Sequence, residues 1–303
     1  MALGQVKVWV YDAGYKAMDI FEEVMFKETP YKVMGFVNRD NSIDANVKDM
    51  YSLPLVAIEE LKDFVKQDEK VLVALSPKEP YEYALQNIVE LHNLGINPAS
   101  VSIYQVKNTF LQKGNRPRIS NEFAEHARTL KLEGSVAECG VYQGEFASAI
   151  NRCFYDRQLY LFDTFEGFDS RDVETERGLA DKSFLEGRFN RTGGFGTTVE
   201  RVMKRMPFRQ NVKIVKGWIP ESFAGINDKF CFVNLDLDLY QPMFESLKFF
   251  WDRMVQGGMI LCHDYYHPEL PGVKQAIDDF EKHVGRVLPK YPLYKESNMA
   301  IFK

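Results

Sequence analysis

The sequence predicts an α/β protein with two Rossmann-like domains, each built around a mainly parallel sheet. At 303 residues, the chain is longer than one average domain. Runs rich in β-branched and aromatic residues alternate with segments of helical apolar spacing in both halves. The alternation stops near 110–120, where FLQKGNRPRIS has little periodicity. We therefore expect domains over residues 1–112 and 113–303.

In the first domain, strand-like and helix-like segments alternate along the chain. The expected strands cover 6–11, 31–37, 53–58, 70–75 and 101–104, and the expected helices lie within 13–26, 59–66 and 81–94. Strands separated by helices form βαβ units, which predicts a parallel sheet.

The turn after the first strand contains a single glycine, Gly14, where a dinucleotide-binding domain has the GxGxxG fingerprint. The sequence therefore gives no support to pyrophosphate binding at this turn. The pattern is similar to that of small Rossmann-type domains found beside sugar-nucleotide enzymes. Binding of a nucleotide or sugar nucleotide, contact with a carrier of the acceptor and dimer formation remain open, and we expect a structural or interaction role.

The second domain begins with an expected helix at 121–130 and continues as a second alternating series. The expected strands cover 135–141, 158–163, 212–215, 230–235 and 259–263, and the expected helices cover 145–154, 198–206, 243–254 and 273–283. The chain then closes with strand-like segments near Val287 and at 299–302, with no helix between them. This pattern predicts a doubly wound sheet with one antiparallel edge strand.

Composition and charge narrow the functional class. The formal net charge is -5 and no basic stripe is present, so binding of nucleic acid through its phosphates is not expected. No apolar run approaches the roughly 18 residues that cross a bilayer, and the N-terminus lacks the pattern of a signal peptide. The four cysteines have no CxxC spacing. We expect a cytoplasmic protein with reduced thiols, a small-molecule substrate and no nucleic-acid or membrane partner.

Acidic residues and glycines are frequent at the positions where the strands of the second domain end. Ligands of open α/β sheets bind outside the carboxyl ends of the strands, and here these ends are acidic or rich in glycine. The residues are Glu138, Gly140, Gly144, Asp163, Asp236, Asp238, His263 and Asp264. Because crowded carboxylates repel one another, a purely structural sheet has little reason to place so many there.

The first of these strand ends contains an ExGxxxG turn, formed by Glu138, Gly140 and Gly144. Such a turn lets the backbone approach a ligand closely at a helix N-terminus. Asp163 follows at the spacing expected of an acid that accepts hydrogen bonds from two ribose hydroxyls, although a helix cap or loop carboxylate is an equal alternative. Together these features favour an adenosine-containing cofactor, and they leave a nicotinamide dinucleotide and S-adenosylmethionine both open.

Five sequence blocks occur in one order between about residues 133 and 280. They are VAECGVYQGEFA, LYLFDTFEGF, VKGWIPESF, NLDLDLY and GGMILCHDYYHPELPGVKQAIDDF. These blocks resemble the TylF/MycF-type O-methyltransferases (macrocin O-methyltransferase family), which methylate sugar hydroxyls on natural products and related glycans. The resemblance implies a class I methyltransferase fold, S-adenosylmethionine as cofactor and a divalent metal, usually Mg²⁺.

The resemblance also implies roles for individual residues. Glu138, Gly140 and Gly144 would border the methionine part of the cofactor, Asp163 would hold the ribose, Gly217 and Trp218 would lie near the adenine, and Tyr142 and Thr164 would complete the cofactor site. Asp236 would be both metal ligand and general base, and His263 and Asp264 would complete the metal site. An alcohol loses its proton only near a pKa of ~15, so a bound cation and a nearby carboxylate are a sound way to activate it.

The last of the five blocks departs from the family, which usually has two consecutive acids before the tyrosine. Here the order is His263-Asp264-Tyr265. Because Mg²⁺ prefers oxygen ligands, an imidazole favours softer ions such as Mn²⁺. His263 as ligand, His263 as catalytic base and loss of the metal site are all open, and we expect a retained metal, Mg²⁺ or Mn²⁺. For Asp238 we expect a supporting acid or a helix cap.

The sequence is compatible with three functions. The first is metal-assisted O-methylation of a sugar or glycosylated small molecule, with a catechol-type phenol as the rival acceptor. The others are an NAD-dependent oxidoreductase, which leaves Asp236 and Asp264 without a role, and a catalytically inactive cofactor-binding scaffold. Residues 164–196 are too long for an ordinary connection, which suggests a lid over the site or else a variable surface loop. We expect a homo-oligomer.

Overall fold

A computed structural model describes residues 5–27, 29–77, 79–106, 114–179, 196–293 and 297–303. The chain divides into two compact units, Met1–Gly114 and Asn115–Lys303. Each unit contains one mostly parallel sheet with helices between its strands, which confirms the predicted α/β class. Within these described ranges, no helix has the length and apolar character needed to cross a membrane.

The first unit contains a six-stranded sheet with the strand order β3-β4-β2-β1-β5-β6. Its strands are β1 (Val6–Val10), β2 (Tyr31–Asn38), β3 (Asp49–Met50), β4 (Leu53–Ala57), β5 (Lys70–Leu75) and β6 (Val101–Gln105), and its helices are α1 (Tyr15–Phe26), α2 (Leu61–Phe64) and α3 (Tyr81–Asn93). All pairings are parallel except that of the short β3 with β4. The β-branched and aromatic side chains of the inner strands form the core of this unit.

The turn between β1 and α1 is organised by its own acid. The backbone N–H of Gly14, which precedes α1, donates a hydrogen bond to the carboxylate of Asp12. A phosphate at this helix N-terminus would need that N–H and would meet a carboxylate. The geometry therefore gives pyrophosphate binding no more support than the sequence does.

The second unit contains a seven-stranded sheet with the strand order β12-β13-β11-β10-β7-β8-β9. Its strands are β7 (Ser135–Cys139), β8 (Leu159–Asp163), β9 (Val212–Lys216), β10 (Phe230–Leu235), β11 (Met254–Cys262), β12 (Lys290–Leu293) and β13 (Asn298–Phe302). Its helices are α4 (Asn115–Thr129), α5 (Glu145–Cys153), α6 (Ser170–Glu176), α7 (Val199–Arg205), α8 (Tyr240–Trp251) and α9 (Pro271–Val284). Strand β13 runs antiparallel to both β11 and β12, as the closing segments predicted.

Two segments predicted to be irregular are helical. Helix α4 begins at Asn115, six positions before the expected start at 121, because Pro117 lies in the first turn, where no backbone N–H is needed. Helix α6 lies inside the predicted loop 164–196, and the side chain of Asp169 caps it by accepting a hydrogen bond from Arg171 N. Residues 180–195, on which the lid interpretation mainly depends, lie outside the described ranges.

The second unit is held by an aromatic core. Phe162, Phe230 and Phe250 are fully buried, and their rings meet edge to face at centroid distances of 6.0 Å (Phe162–Phe250) and 5.0 Å (Phe230–Phe250). The four cysteines are buried and unbridged, in agreement with the prediction of reduced thiols. This packing fixes the parallel strands and therefore the positions of their carboxyl ends.

Gly140, the first residue after β7, lies against the neighbouring strand end. Its φ is +82°, and a Cβ at this position would lie 1.8 Å from the backbone oxygen of Asp236. Only glycine satisfies both the positive φ and the close approach. The glycine turn and Asp236 are therefore held next to each other by backbone packing.

Substitution Gly140→Ala is expected to reduce the free energy of unfolding by about 3 kcal/mol, because it combines left-handed strain with overlap against a carbonyl. Gly225→Ala is the matched control, since Gly225 has a φ of +78° but no atom within 4 Å of the added Cβ. That control should cost about 1 kcal/mol, from strain alone. Urea unfolding of both variants measures the difference, and equal losses would contradict the role of the close approach.

Candidate active site

A cavity of about 380 Å³ lies at the carboxyl ends of the central strands of the second unit. All of the predicted site residues except Gly144 line it: Glu138, Gly140, Tyr142, Asp163, Thr164, Gly217, Trp218, Asp236, His263 and Asp264. Gly144 instead begins α5 with a positive φ, where a Cβ would come within 3.0 Å of Val202. Its glycine is required for backbone conformation and helix packing.

The strand ends are joined to one another beyond the regular sheet. The backbone N–H of each first residue donates to the carbonyl of the next strand: His263 to Leu235, Asp236 to Cys139, Gly140 to Phe162 and Gly217 to Asp163. These four hydrogen bonds are 2.8–3.0 Å long. They place the functional side chains in one row along the edge of the sheet, in the order β11, β10, β7, β8, β9.

At one end of this row, Asp236, His263 and Asp264 form a cluster. Each residue offers one ligand atom, and these atoms lie within 4.8 Å of one another. Nδ1 of His263 lies 3.0 Å from Oδ1 of Asp236 and 2.9 Å from Oδ2 of Asp264. It is nevertheless buried without a hydrogen-bond partner of proper geometry. Two carboxylate oxygens and one ring nitrogen are a donor set that fits a divalent transition-metal ion or Mg²⁺.

Charge in the cluster is balanced by partners of opposite sign. Burial raises the pKa of Asp236, but the positive charges of Arg116 and His263 outweigh it and hold that pKa well below its usual range. Burial lowers the pKa of His263, but Asp236 and the close contact with Asp264 raise it to about 9. The protein therefore carries a protonated imidazole between two carboxylates at neutral pH.

Arg116 belongs to the site, although no motif in the sequence pointed to it. Its Nη1 donates a hydrogen bond of 2.6 Å to Oδ2 of Asp236, and its guanidinium lies over the ring of Phe146. It lies in the first turn of α4, a segment that appeared to be a boundary loop. A basic residue 120 positions from its acid leaves no local signal in the sequence.

Asp163 organises the glycine turn. Oδ2 accepts hydrogen bonds from Val141 N at 2.7 Å and Tyr142 N at 3.0 Å, and Oδ1 accepts one from Phe165 N at 2.7 Å. An ionised carboxylate accepts about four hydrogen bonds. Asp163 therefore stabilises its loop, as one of the two alternatives for this residue predicted. About one acceptor position, on Oδ1, is left for a ligand.

Glu138 is 1% exposed at the end of β7. Oε1 accepts a hydrogen bond of 3.0 Å from Asn234, whereas Oε2 is buried without a partner. Burial, followed by the negative charge of Asp236, raises the pKa of Glu138 well above its usual range. Such a group has one oxygen left to bind a polar ligand atom in the cavity.

A second buried acid lies at the far end of the row. Oδ2 of Asp172, on α6, accepts a hydrogen bond of 2.9 Å from the indole N–H of Trp218. Oδ1 of Asp172 is buried without a partner, and the residue lines the cavity at 5% exposure. Burial raises the pKa of Asp172 to about 6. This residue was missed because the helix that presents it has only seven residues and was expected to be loop.

Helix α8, which follows Asp238, is capped by a residue of α6. Glu176, which is fully buried, accepts a hydrogen bond of 2.8 Å from Tyr240 N at the start of α8. Helix α8 has no side-chain cap of its own. Against the effect of burial, the hydrogen bond and charge of His263, and to a smaller extent the contact with Asp238, lower the pKa of Asp264. The helix-cap alternative for Asp238 is not seen, and its role as a supporting acid stays a prediction.

The macrocin-O-methyltransferase (TylF) family matches residues 114–294, well over half of the chain. The chain belongs to this family. A relative from Streptomyces olivaceus, 8-demethyl-8-(2,3-dimethoxy-alpha-L-rhamnosyl)-tetracenomycin-C 4'-O-methyltransferase, is 24% identical over 169 residues. That match covers 51% of this chain, and the chain spans 60% of the length of the relative.

Solved structures of similar fold include the O-methyltransferase NovP, at 19% identity and a TM-score of 0.54, covering 65% of this chain and 83% of NovP. The calicheamicin methyltransferase CalS11 is 18% identical, with a TM-score of 0.48, over 75% of this chain and 93% of its own. Membership of the TylF family confirms the resemblance, and the likeness to NovP confirms the class I methyltransferase fold. Membership of the family also favours a methyltransferase over the oxidoreductase alternative.

Asp172→Asn should stabilise this TylF-family protein in a pH-dependent way. The unfolded chain ionises Asp172 near pH ~4 and the folded protein near pH 6, so ionisation costs stability as the pH rises between these values. The variant avoids that cost. Its advantage should grow by about 2 kcal/mol between pH 4 and pH 7.5 and then level off.

Urea unfolding of both proteins across this pH range is the measurement. Asp169→Asn is the control, because hydrogen bonding to Arg171 lowers the pKa of Asp169. Its stability difference from the parent should change mainly below pH ~4 and stay nearly level between pH 4 and pH 7.5. A pH-independent difference for Asp172→Asn would contradict the buried, ionisable state of this acid.

Proposed function

We propose that this protein transfers a methyl group from S-adenosylmethionine to a hydroxyl of a sugar or glycosylated small molecule, with the help of a divalent metal. The observation that carries the proposal is the row of strand ends in one cavity. Three residues that could bind a metal ion lie at one end of the row. Polar groups suited to an adenosine lie at the other end.

The order of the strands supports one direction for the bound cofactor. The glycine turn after β7 would border the methionine part, with Glu138 offering the free Oε2 to its amino group. Asp163, after β8, would accept one ribose hydroxyl through Oδ1. Trp218, after β9, would lie beside the adenine, and the unpartnered Oδ1 of Asp172 is an acceptor suited to the exocyclic amine. The sulfonium end would then lie nearest to β10.

Asp236, His263 and Asp264 would hold the metal. The fit is supported by the spacing of the three ligand atoms, which lie within 4.8 Å of one another, with Nδ1 of His263 3.0 Å from Oδ1 of Asp236 and 2.9 Å from Oδ2 of Asp264. A cation bound there would lower the pKa of the acceptor hydroxyl and orient its oxygen. The oxygen-rich set accepts Mg²⁺, and the imidazole makes Mn²⁺ a good alternative.

Asp236 is suited to two tasks because its oxygens face different groups. Oδ1 faces the donor cluster, so Oδ2 is the oxygen that would accept the hydroxyl proton. Bound S-adenosylmethionine would supply the methyl group and leave as S-adenosylhomocysteine, while Oδ2 would take the proton that the acceptor hydroxyl gives up. In this structure Oδ2 accepts a hydrogen bond from Arg116. The arginine must therefore move away before Oδ2 can accept the hydroxyl proton.

The acceptor class is proposed from the family and from the cavity. The relative from Streptomyces olivaceus is named as a 4'-O-methyltransferase of a rhamnosyl compound. A sugar hydroxyl has a pKa several units above that of a phenol, so it needs both a cation and a base, and the cavity contains residues suited to hold the one and act as the other. This supports a sugar over a catechol-type acceptor.

Calorimetric titration with S-adenosylmethionine and S-adenosylhomocysteine tests the cofactor. We expect dissociation constants near the micromolar range, weakened at least tenfold by Asp163→Ala because the glycine turn loses its organising carboxylate. Asp228→Ala is the matched control. Asp228 also accepts two side-chain hydrogen bonds, from Ser135 and Tyr160, but it is not part of the cavity lining.

The control variant should bind both ligands as the parent does. Failure of the parent protein to bind either ligand, with or without Mg²⁺ or Mn²⁺, would overturn the methyltransferase proposal. Equal binding by the parent and Asp163→Ala would leave the cofactor in place but remove the role given to Asp163.

A further inference from the structure

Arg116 places a permanent positive charge against the acid at the centre of the proposed metal site. Its Nη1 lies 2.6 Å from Oδ2 of Asp236, and Oδ1 of the same carboxylate lies 3.0 Å from Nδ1 of His263. The carboxylate of Asp236 therefore contacts the guanidinium through one oxygen and His263 through the other. The Arg116 and Asp236 side chains are 19% and 24% exposed, so solvent screens their charges less than at an open surface.

The guanidinium is held from a second side as well. Its central carbon lies 4.7 Å from the ring centroid of Phe146, which is 8% exposed and lines the same cavity. A guanidinium over an aromatic face gains a favourable cation–π interaction. Arg116 comes from α4 and Phe146 from α5, and these helices pack against each other. The charge is therefore fixed by the fold.

This arrangement opposes a second cation on Asp236. A divalent ion bound to Oδ1 would lie close to the guanidinium on Oδ2, and like charges so near each other repel. His263 can give up its proton to a metal, but an arginine keeps its charge throughout the pH range of proteins. The repulsion can be relieved only if the guanidinium moves away from Asp236.

We propose that Arg116 sets the divalent-cation affinity of the cluster formed by Asp236, His263 and Asp264. It is the counter-ion of Asp236 when no cation is bound, and it weakens the binding of a cation to the cluster. Arg116 acts through Asp236 and is therefore a positioning residue. The inference rests on the proposed function, because it takes these three residues to be a metal site.

Titration of the full-length protein with Mn²⁺, followed by the electron paramagnetic resonance signal of the free ion, tests this inference without an acceptor. Arg116→Gln removes the charge, and Arg116→Met removes it while keeping an apolar stem against Phe146. Both variants should bind Mn²⁺ at least about tenfold more tightly than the parent. Arg116→Lys keeps the charge and should stay within about threefold of the parent.

Arg118→Gln is the matched control on the same helix. Arg118 is 72% exposed and pairs with Glu122 at 2.8 Å, so its removal changes the net charge equally without touching the cluster. It should leave the Mn²⁺ affinity unchanged. Equal or weaker Mn²⁺ binding by both neutral Arg116 variants would overturn the inference, and it is the result expected if Arg116 only braces the fold.

Asp264→Asn separates this inference from the proposed function. The substitution should abolish tight Mn²⁺ binding in the parent and in the Arg116→Gln background. Mn²⁺ binding that survives Asp264→Asn, or the absence of Mn²⁺ binding in every variant, would contradict the metal site itself and with it the role of Arg116.

Discussion

Gly140 lies so close to the backbone carbonyl of Asp236 that no side chain fits between them. This packing joins the end of β7 to the end of β10, and the hydrogen bond from Asp236 N to Cys139 O completes the junction. The glycine turn, the acid cluster and the row of strand ends all depend on it. The aromatic core beneath the sheet keeps the strands in register and leaves their carboxyl ends to carry polar groups.

Charge is the second constraint on the site. Asp236 and Asp264 lie close together in a partly buried cluster, which is unfavourable unless positive charge is nearby. The protein supplies two such charges, the imidazole of His263 and the guanidinium of Arg116. In the proposed metal site, a metal ion would take the place of the first charge but not of the second. The balance between them connects the local structure of α4 to the chemistry proposed at β10 and β11.

Much of the fold and of the site could be predicted because the signals are local. Strand periodicity, the glycine turn and the acids after β8, β10 and β11 are each contained in a few consecutive residues. Arg116 and Asp172 could not be found in this way. Each lies in a segment without clear periodicity, and each acts through a partner far along the chain, Asp236 and Trp218 respectively. Gly144 is different, because its motif is local and was recognised, but the residue does not line the cavity. A glycine is needed there because a Cβ would come too close to Val202.

We propose that one cavity holds the cofactor and a divalent metal side by side. A crystal structure of the protein with S-adenosylhomocysteine and Mn²⁺, recorded with anomalous scattering, tests it most directly. We predict an anomalous peak between Asp236, His263 and Asp264, with the adenine of the bound product beside Trp218. Bound product without an anomalous peak at these three residues, or product bound outside the cavity, would contradict the account.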